Sequence, residues 1–149
     1  MHEILFRGKR TDNGEWVEGY LIKWINPLTR MPKFFILTQE EISAITGEPT
    51  GYLKIEMSRH EVDPSTVGQY TGLTDKNGKK IFEGDIVKGL FVFGEISSVV
   101  IFKYGYFGIE WNIDEIKVLD PFLGLRNIEC EVIGNIHDNP ELLKGGDDK

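Results

Sequence analysis

The stretch Thr71-Gly72-Leu73-Thr74-Asp75-Lys76-Asn77-Gly78-Lys79-Lys80-Ile81-Phe82-Glu83-Gly84-Asp85-Ile86-Val87 decides the fold class. Two short runs, Thr71–Leu73 and Lys80–Phe82, flank an Asn-Gly pair. That arrangement signals a β-hairpin, and the expected turn is type I′, in which both central residues need φ > 0. Glu83-Gly84-Asp85 then bends the chain into Ile86-Val87-Lys88. A carboxylate at a strand entrance can accept backbone N–H bonds, so Asp85 is read as a corner-fixing residue rather than a catalytic acid.

Working outward, the same device stands near the N-terminus. Ile4-Leu5-Phe6 leads through Asn13-Gly14 into Glu15–Ile25. On this second run Trp16, Glu18, Tyr20, Ile22 and Trp24 share one face, and Val17, Gly19, Leu21, Lys23 and Ile25 the other. Both faces are partly apolar, which predicts a strand covered in part on both sides. Asn26–Pro32 reads as a loop, Lys33–Thr38 as a strand and Gln39–Ile45 as a short helix capped by Thr38. Gly47–Gly51 is turn-like, Tyr52–Met57 is a strand, and Asp63–Thr66 is a turn or first helical turn. Beyond the central motif, Leu90–Phe93, Glu95–Tyr104, Tyr106–Trp111, Asp114–Leu119 and Ile128–Ile136 read as strands, with Asp120–Asn127 a loop. Asn139 caps a short terminal helix with Pro140 at its first position, and 145–149 is expected to be a disordered tail.

Composition agrees. The 149 residues include one Ala, Ala44, against 17 Ile, 9 Val and 8 Thr, so the best helix former is nearly absent and β-branched residues abound. Gly at the corners of closely spaced short strands points to a small closed or semi-closed barrel in the second half. The fold class expected is therefore mainly β, a β-rich α+β chain. It has an N-terminal β-hairpin region, a small SH3-like barrel and a short C-terminal helix. The lobes are placed at 1–62 and 63–144, with a single continuous domain as the other organisation.

Charge narrows the function classes. Net charge is −7, spread evenly over both halves, without the basic face expected of a nucleic-acid binder. The longest apolar runs, such as Phe34–Leu37 and Val99–Phe102, hold four residues, far short of the ~20 a membrane span needs. With no leader-like start and one cysteine, Cys130, the chain is read as cytoplasmic. Cys130 is read as a small buried thiol.

No catalytic constellation stands out. His2, His60 and His137 lack the spacing of a metal site, so no metal and no cofactor are expected. Glu83/Asp85 and Glu129/Glu131 would share strand faces, but paired carboxylates in so acidic a chain read as solvated surface. There is no nucleophile elbow and no phosphate loop. Aromatics cluster between Tyr70 and Trp111. The candidate interaction surface drawn from them and from nearby lysines is Tyr70, Lys76, Lys80, Lys88, Tyr104, Tyr106 and Phe107.

Three strings also carry a family likeness. They are Glu3–Arg10 with Asn13–Val17 and Gly19–Ile22, the long run from Val62 through Leu73 and Asp75–Gly78 to Phe82–Val87, and the close Glu131–Ile136 with Asn139–Leu143. Together they resemble the YopX family of phage and prophage proteins. The resemblance implies a phage or prophage origin and a mostly β fold with a barrel. It implies no reaction, since the family has no catalytic residues to carry over.

Three functions are weighed. The first is a non-enzymatic accessory protein that binds a host or phage protein, or self-associates. The second is a nucleic-acid-binding SH3-like barrel, using Lys76, Lys79, Lys80 and Lys88 on phosphates and Tyr70 or Tyr104 on bases, with an acidic DNA mimic as its variant; the net charge disfavours it. The third is an enzyme acting on a nucleotide or cell-wall fragment.

Overall fold

In the computed structural model, residues 3–44, 53–91, 94–113, 116–120 and 130–146 are described. The turn expected at Gly47–Gly51, most of the loop Asp120–Asn127 and the end of the tail lie outside them. The chain is mainly β, and its strands pair antiparallel. It forms two compact units, Ile4–Gly68 and a second from Gln69 onward.

The first unit holds β1 (Phe6–Lys9), β2 (Trp16–Ile25), β3 (Pro32–Ala44) and β4 (Leu53–Glu61), ordered β4-β3-β2-β1. Among its described residues the buried apolar ones are Leu5, Ile36 and Val62. A Cβ on Gly19 would fall on the Leu37 carbonyl oxygen and against Ile36 Cγ2, so β2 and β3 approach closely because Gly19 has no side chain. Asn26 closes the β2–β3 loop. Its Oδ1 accepts the N–H groups of Leu28 (2.9 Å) and Thr29 (3.2 Å), and Pro32 opens β3, a strand position that needs no donor. A 3₁₀ turn at Pro64–Thr66 follows, with Asp63 Oδ1 accepting the Ser65 N–H at 2.9 Å. The hydroxyl of Thr66 accepts the Lys9 N–H at 2.9 Å and donates to the Asp63 carbonyl at 2.7 Å, tying this turn to β1.

Two expectations for this half are corrected. Gln39–Ile45 is not a helix through Ala44: β3 continues there as strand, paired with β4 from Gln39↔Met57 to Ala44↔Leu53 with a register shift between Gln39 and Glu41. Seven residues cannot hold an isolated helix, whereas the neighbouring strand satisfies the backbone at every other position. Nor is the distal half of β2 covered on both sides, since Tyr20, Ile22 and Trp24 are all exposed.

The second unit begins with the hairpin β5 (Gly68–Thr74) and β6 (Lys80–Phe82). Five further strands, β7 (Asp85–Phe91), β8 (Gly94–Lys103), β9 (Tyr106–Ile113), β10 (Ile116–Asp120) and β11 (Glu131–Asn135), form a sheet ordered β10-β9-β8-β7-β11. Ile81, Val87, Val100, Ile109, Cys130 and Val132 make its core, with Leu73, Ile96 and Phe107 packed against them. A 3₁₀ helix, Pro140–Gly146, closes the described chain.

The turn chemistry differs from the type I′ expectation at both Asn-Gly pairs. Gly14 and Gly78 have positive φ, but Asn13 and Asn77 do not. In the second hairpin the Gly78 N–H donates to the Asp75 carbonyl and the Asp75 N–H to the Lys79 carbonyl, a type I turn followed by a left-handed glycine. Among the described residues, the pair with two positive φ values is Tyr104-Gly105, at 55° and 88°. It joins Lys103↔Tyr106 of β8 and β9, so the I′ geometry sits on a tyrosine.

Two buried carboxylates organise the second unit. Asp85 Oδ2 accepts the Phe82 N–H at 2.8 Å, the corner-fixing bond expected of it. Asp75 does more. Its Oδ1 accepts the N–H groups of Asn77 (2.8 Å) and Lys79 (2.9 Å), and its Oδ2 that of Val132 (3.0 Å), so one side chain shapes the hairpin turn and pins it to β11.

Candidate interaction face

The exposed face of the first unit is built by strand register. Tyr20 lies opposite Leu37, Ile22 opposite Phe35, and Trp24 opposite Lys33. On the far side of β3, Leu37 lies opposite Arg59 and Phe35 opposite Glu61. Side chains alternate along a strand, so these residues share one face while Gly19 and Ile36 point to the other. Rows on that face stand ~7 Å apart along the strands and ~4.8 Å apart across them. The result is an apolar column, Tyr20, Ile22 and Trp24 at 50%, 43% and 45% exposure, beside charged residues on β3 and β4.

The charges are arranged diagonally. Arg59 leans back over the Phe35 ring, its guanidinium carbon 4.9 Å from the centroid. Lys33 Nζ reaches Glu61 Oε2 at 2.9 Å. Lys33 is thereby neutralised locally, whereas Arg59 has no carboxylate partner among the described residues. Ile22, Trp24, Asn26, Lys33, Phe35, Arg59 and Glu61 line a shallow groove of about 600 Å³. Beyond it Ile25, Leu28 and Met31 also stand exposed at the hairpin end. A fork of guanidinium donors held over a ring, next to an aliphatic and an indole surface, can hold a carboxylate and an apolar group together.

The residues singled out from sequence are distributed differently. Tyr70 is on β5, its ring 5.5 Å from that of Phe82, and Lys80 Nζ lies 5.9 Å over it. Lys76, in the β5–β6 turn, meets Glu131 at 2.7 Å, a bond that holds its ammonium above the usual lysine value. Lys88, on β7, meets Glu95 at 3.3 Å. Both carry their own counter-charge. Tyr104 is 80% exposed at the β8–β9 turn, with Lys103 Nζ 5.3 Å from its ring. Tyr106 is half-buried on β9. Phe107 packs on the core and lies 4.9 Å from Phe102. Tyr70 and Lys80 therefore form one pair, and Tyr104, Tyr106 and Phe107 share one hairpin.

Sequence reasoning missed this face: Tyr20, Ile22, Trp24, Lys33, Phe35 and Arg59 all lie outside the surface it singled out. Their signal was present only as strand alternation, and their neighbours across the sheet are set by pairing.

Cys130 is fully buried, and its thiol is pushed up to about 11, first by burial and then by the nearby Asp75 carboxylate. It stays protonated at neutral pH. For Asp75 burial pushes upward, but the N–H bonds from Val132, Lys79 and Asn77 outweigh it and hold the carboxyl below the usual aspartate range. Among the described residues no three His, Cys, Asp or Glu side chains gather to hold a metal, and no helix is long and apolar enough to cross a membrane.

Comparison with known proteins finds likenesses among family models and among solved structures. The family model described as YopX protein matches residues 5–144. The crystal structure of protein EF1440 from Enterococcus faecalis is similar, with 27% sequence identity and a TM-score of 0.55 over 96% of this chain and 99% of that one. No curated protein matches the chain.

Proposed function

Since the chain belongs to the YopX family, we propose that it is a phage or prophage accessory protein that works in the host cytoplasm without catalysing a reaction, by binding another protein through the β2–β3–β4 face. The observation that supports this reading is the column Tyr20, Ile22 and Trp24, three large side chains on one strand face that stay near half-exposed. A contiguous apolar patch of this kind on a folded unit marks an interaction site, and Trp and Tyr are the residues interfaces favour. In this reading the five-stranded sheet with its β5–β6 hairpin is an SH3-like module that accompanies the binding face.

The nucleic-acid reading has less support. Two of its phosphate contacts, Lys76 and Lys88, are already engaged by Glu131 and Glu95, so neither adds net positive charge. Recovery of partners from host lysate, with and without nuclease, tests the proposal. A partner retained after nuclease by the wild type and lost by Ile22→Ser and Trp24→Ser is expected. Equal recovery by the variants, or recovery that vanishes with nuclease, would refute it.

A further inference from the structure

We infer that the partner's docking element is an acidic, apolar extended segment, seated across the β2–β3–β4 face with a carboxylate on Arg59 and a large apolar side chain between Ile22 and Trp24. The inference rests on the protein-binding reading and adds the chemistry of what is bound.

Charge complementarity carries it. The chain as a whole is −7, yet the charged residues lining the groove are Lys33, Arg59 and Glu61. Lys33 and Glu61 cancel at 2.9 Å, which leaves Arg59 as a net positive point on an acidic protein. Arg59 is also prepared for one ligand geometry. Its guanidinium rests on the Phe35 ring at 4.9 Å, which restrains the planar fork and lowers the entropy lost when it grips a carboxylate with two parallel N–H bonds. The Arg59 backbone stands two strands from β2, but its guanidinium leans inward over Phe35 on the strand between them, so the two subsites lie ~5–10 Å apart across the sheet. An extended segment spans that distance in about two to three residues, so its carboxylate and its apolar anchor need only that separation. A basic or neutral segment would leave Arg59 to be desolvated without a counter-charge, a cost that selects against it.

The test uses the full chain and three capped octapeptides in which Leu and Phe alternate with Asp, with Asn or with Lys. Binding is read by calorimetry at low and high salt. The acidic peptide is expected to bind about ten-fold tighter than the Asn peptide, and the preference to shrink with salt. Arg59→Gln is expected to remove that preference, so that the acidic and Asn peptides bind alike, and Arg59→Lys to keep only part of it. Ile22→Ser weakens both peptides alike, which separates the apolar subsite from the charged one. Each variant is first shown to keep the wild-type urea midpoint. Equal affinity for the three peptides, indifference to Arg59→Gln, or no binding of the acidic peptide at about 1 mM overturns the inference. Loss of both peptides in Ile22→Ser together with indifference to Arg59→Gln would leave the protein-binding reading standing and this one refuted. An oligothymidylate that binds the same face, or a dimer in light scattering that dissociates in Trp24→Ser, would assign the face to nucleic acid or to a second copy instead.

Discussion

Truncation of Asp75 to alanine removes three hydrogen bonds with one substitution, and their different settings give the magnitude. The N–H groups of Asn77 and Lys79 lie in a turn that water can reach once the carboxylate is gone, so each loses about 0.5–1 kcal/mol net. The Val132 N–H is different. Val132 is buried in the core of its unit, and an orphaned donor there costs about 1–3 kcal/mol. Asp75→Ala is therefore expected to destabilise the protein by roughly 2–5 kcal/mol, read from urea unfolding followed by fluorescence. Asp75→Asn should fall between, because Oδ1 can still serve the turn while an amide NH₂ faces the Val132 N–H. The same geometry sets a pH dependence. The folded carboxyl lies below the usual 3.8, so its contribution is fully present above that value and is lost as pH falls through the folded value. Asp75→Asn should lose this part of the acid sensitivity. Hydrogen exchange of the segment containing Val132 should quicken in Asp75→Ala. Lys76→Ala, which removes only the exposed pair with Glu131, should leave the midpoint unchanged. A midpoint for Asp75→Ala that implies less than about 0.5 kcal/mol of loss, with Val132 still protected, would refute the reasoning.

Tyr104 holds a left-handed φ of 55° in an exposed turn, a conformation costing roughly 1 kcal/mol for a bulky residue. Tyr104→Asn should raise the melting temperature by a few degrees in differential scanning calorimetry, and an unchanged or lower value would contradict the I′ assignment. Gly19→Ala forces a Cβ onto the Leu37 carbonyl and should cost about 3 kcal/mol or more, seen as loss of dispersed amide signals from the first unit. The Cys130 thiol, buried and pushed up to about 11, should resist an aromatic disulfide reagent at neutral pH in the native state and react at once in denaturant. Fast labelling of the native protein would show that the core opens around it.

Much of this was readable before the fold. The strands of the second unit were legible from glycine punctuation and β-branched runs, and the Asp85 corner from a carboxylate at a strand entrance. Asp63-Pro64 announced its turn, since a capping acid and a proline act within a few residues. The β3 error arose where local signals were weak. Gln39–Ile45 has no strong preference of its own, and a partner strand nine to eighteen residues away supplied the decision. The turn error had the opposite cause: Asn-Gly permits the I′ form, but Asp75 offered its side chain to Asn77 and Lys79 and stabilised a type I turn instead.

By itself the sequence determined the class of this protein, because period-two alternation, β-branched composition and turn residues act locally and survive without neighbours. It also set the acidic balance. Tertiary structure alone decided which apolar face went uncovered. Tyr20, Ile22 and Trp24 alternate as any half-buried strand does, and nothing along β2 distinguishes a core face from an exposed one. That choice came from Gly19 and Ile36 closing the opposite side. The antiparallel register then brought Arg59 to Phe35 across a gap of twenty-four residues, and no local pattern encodes such a pairing.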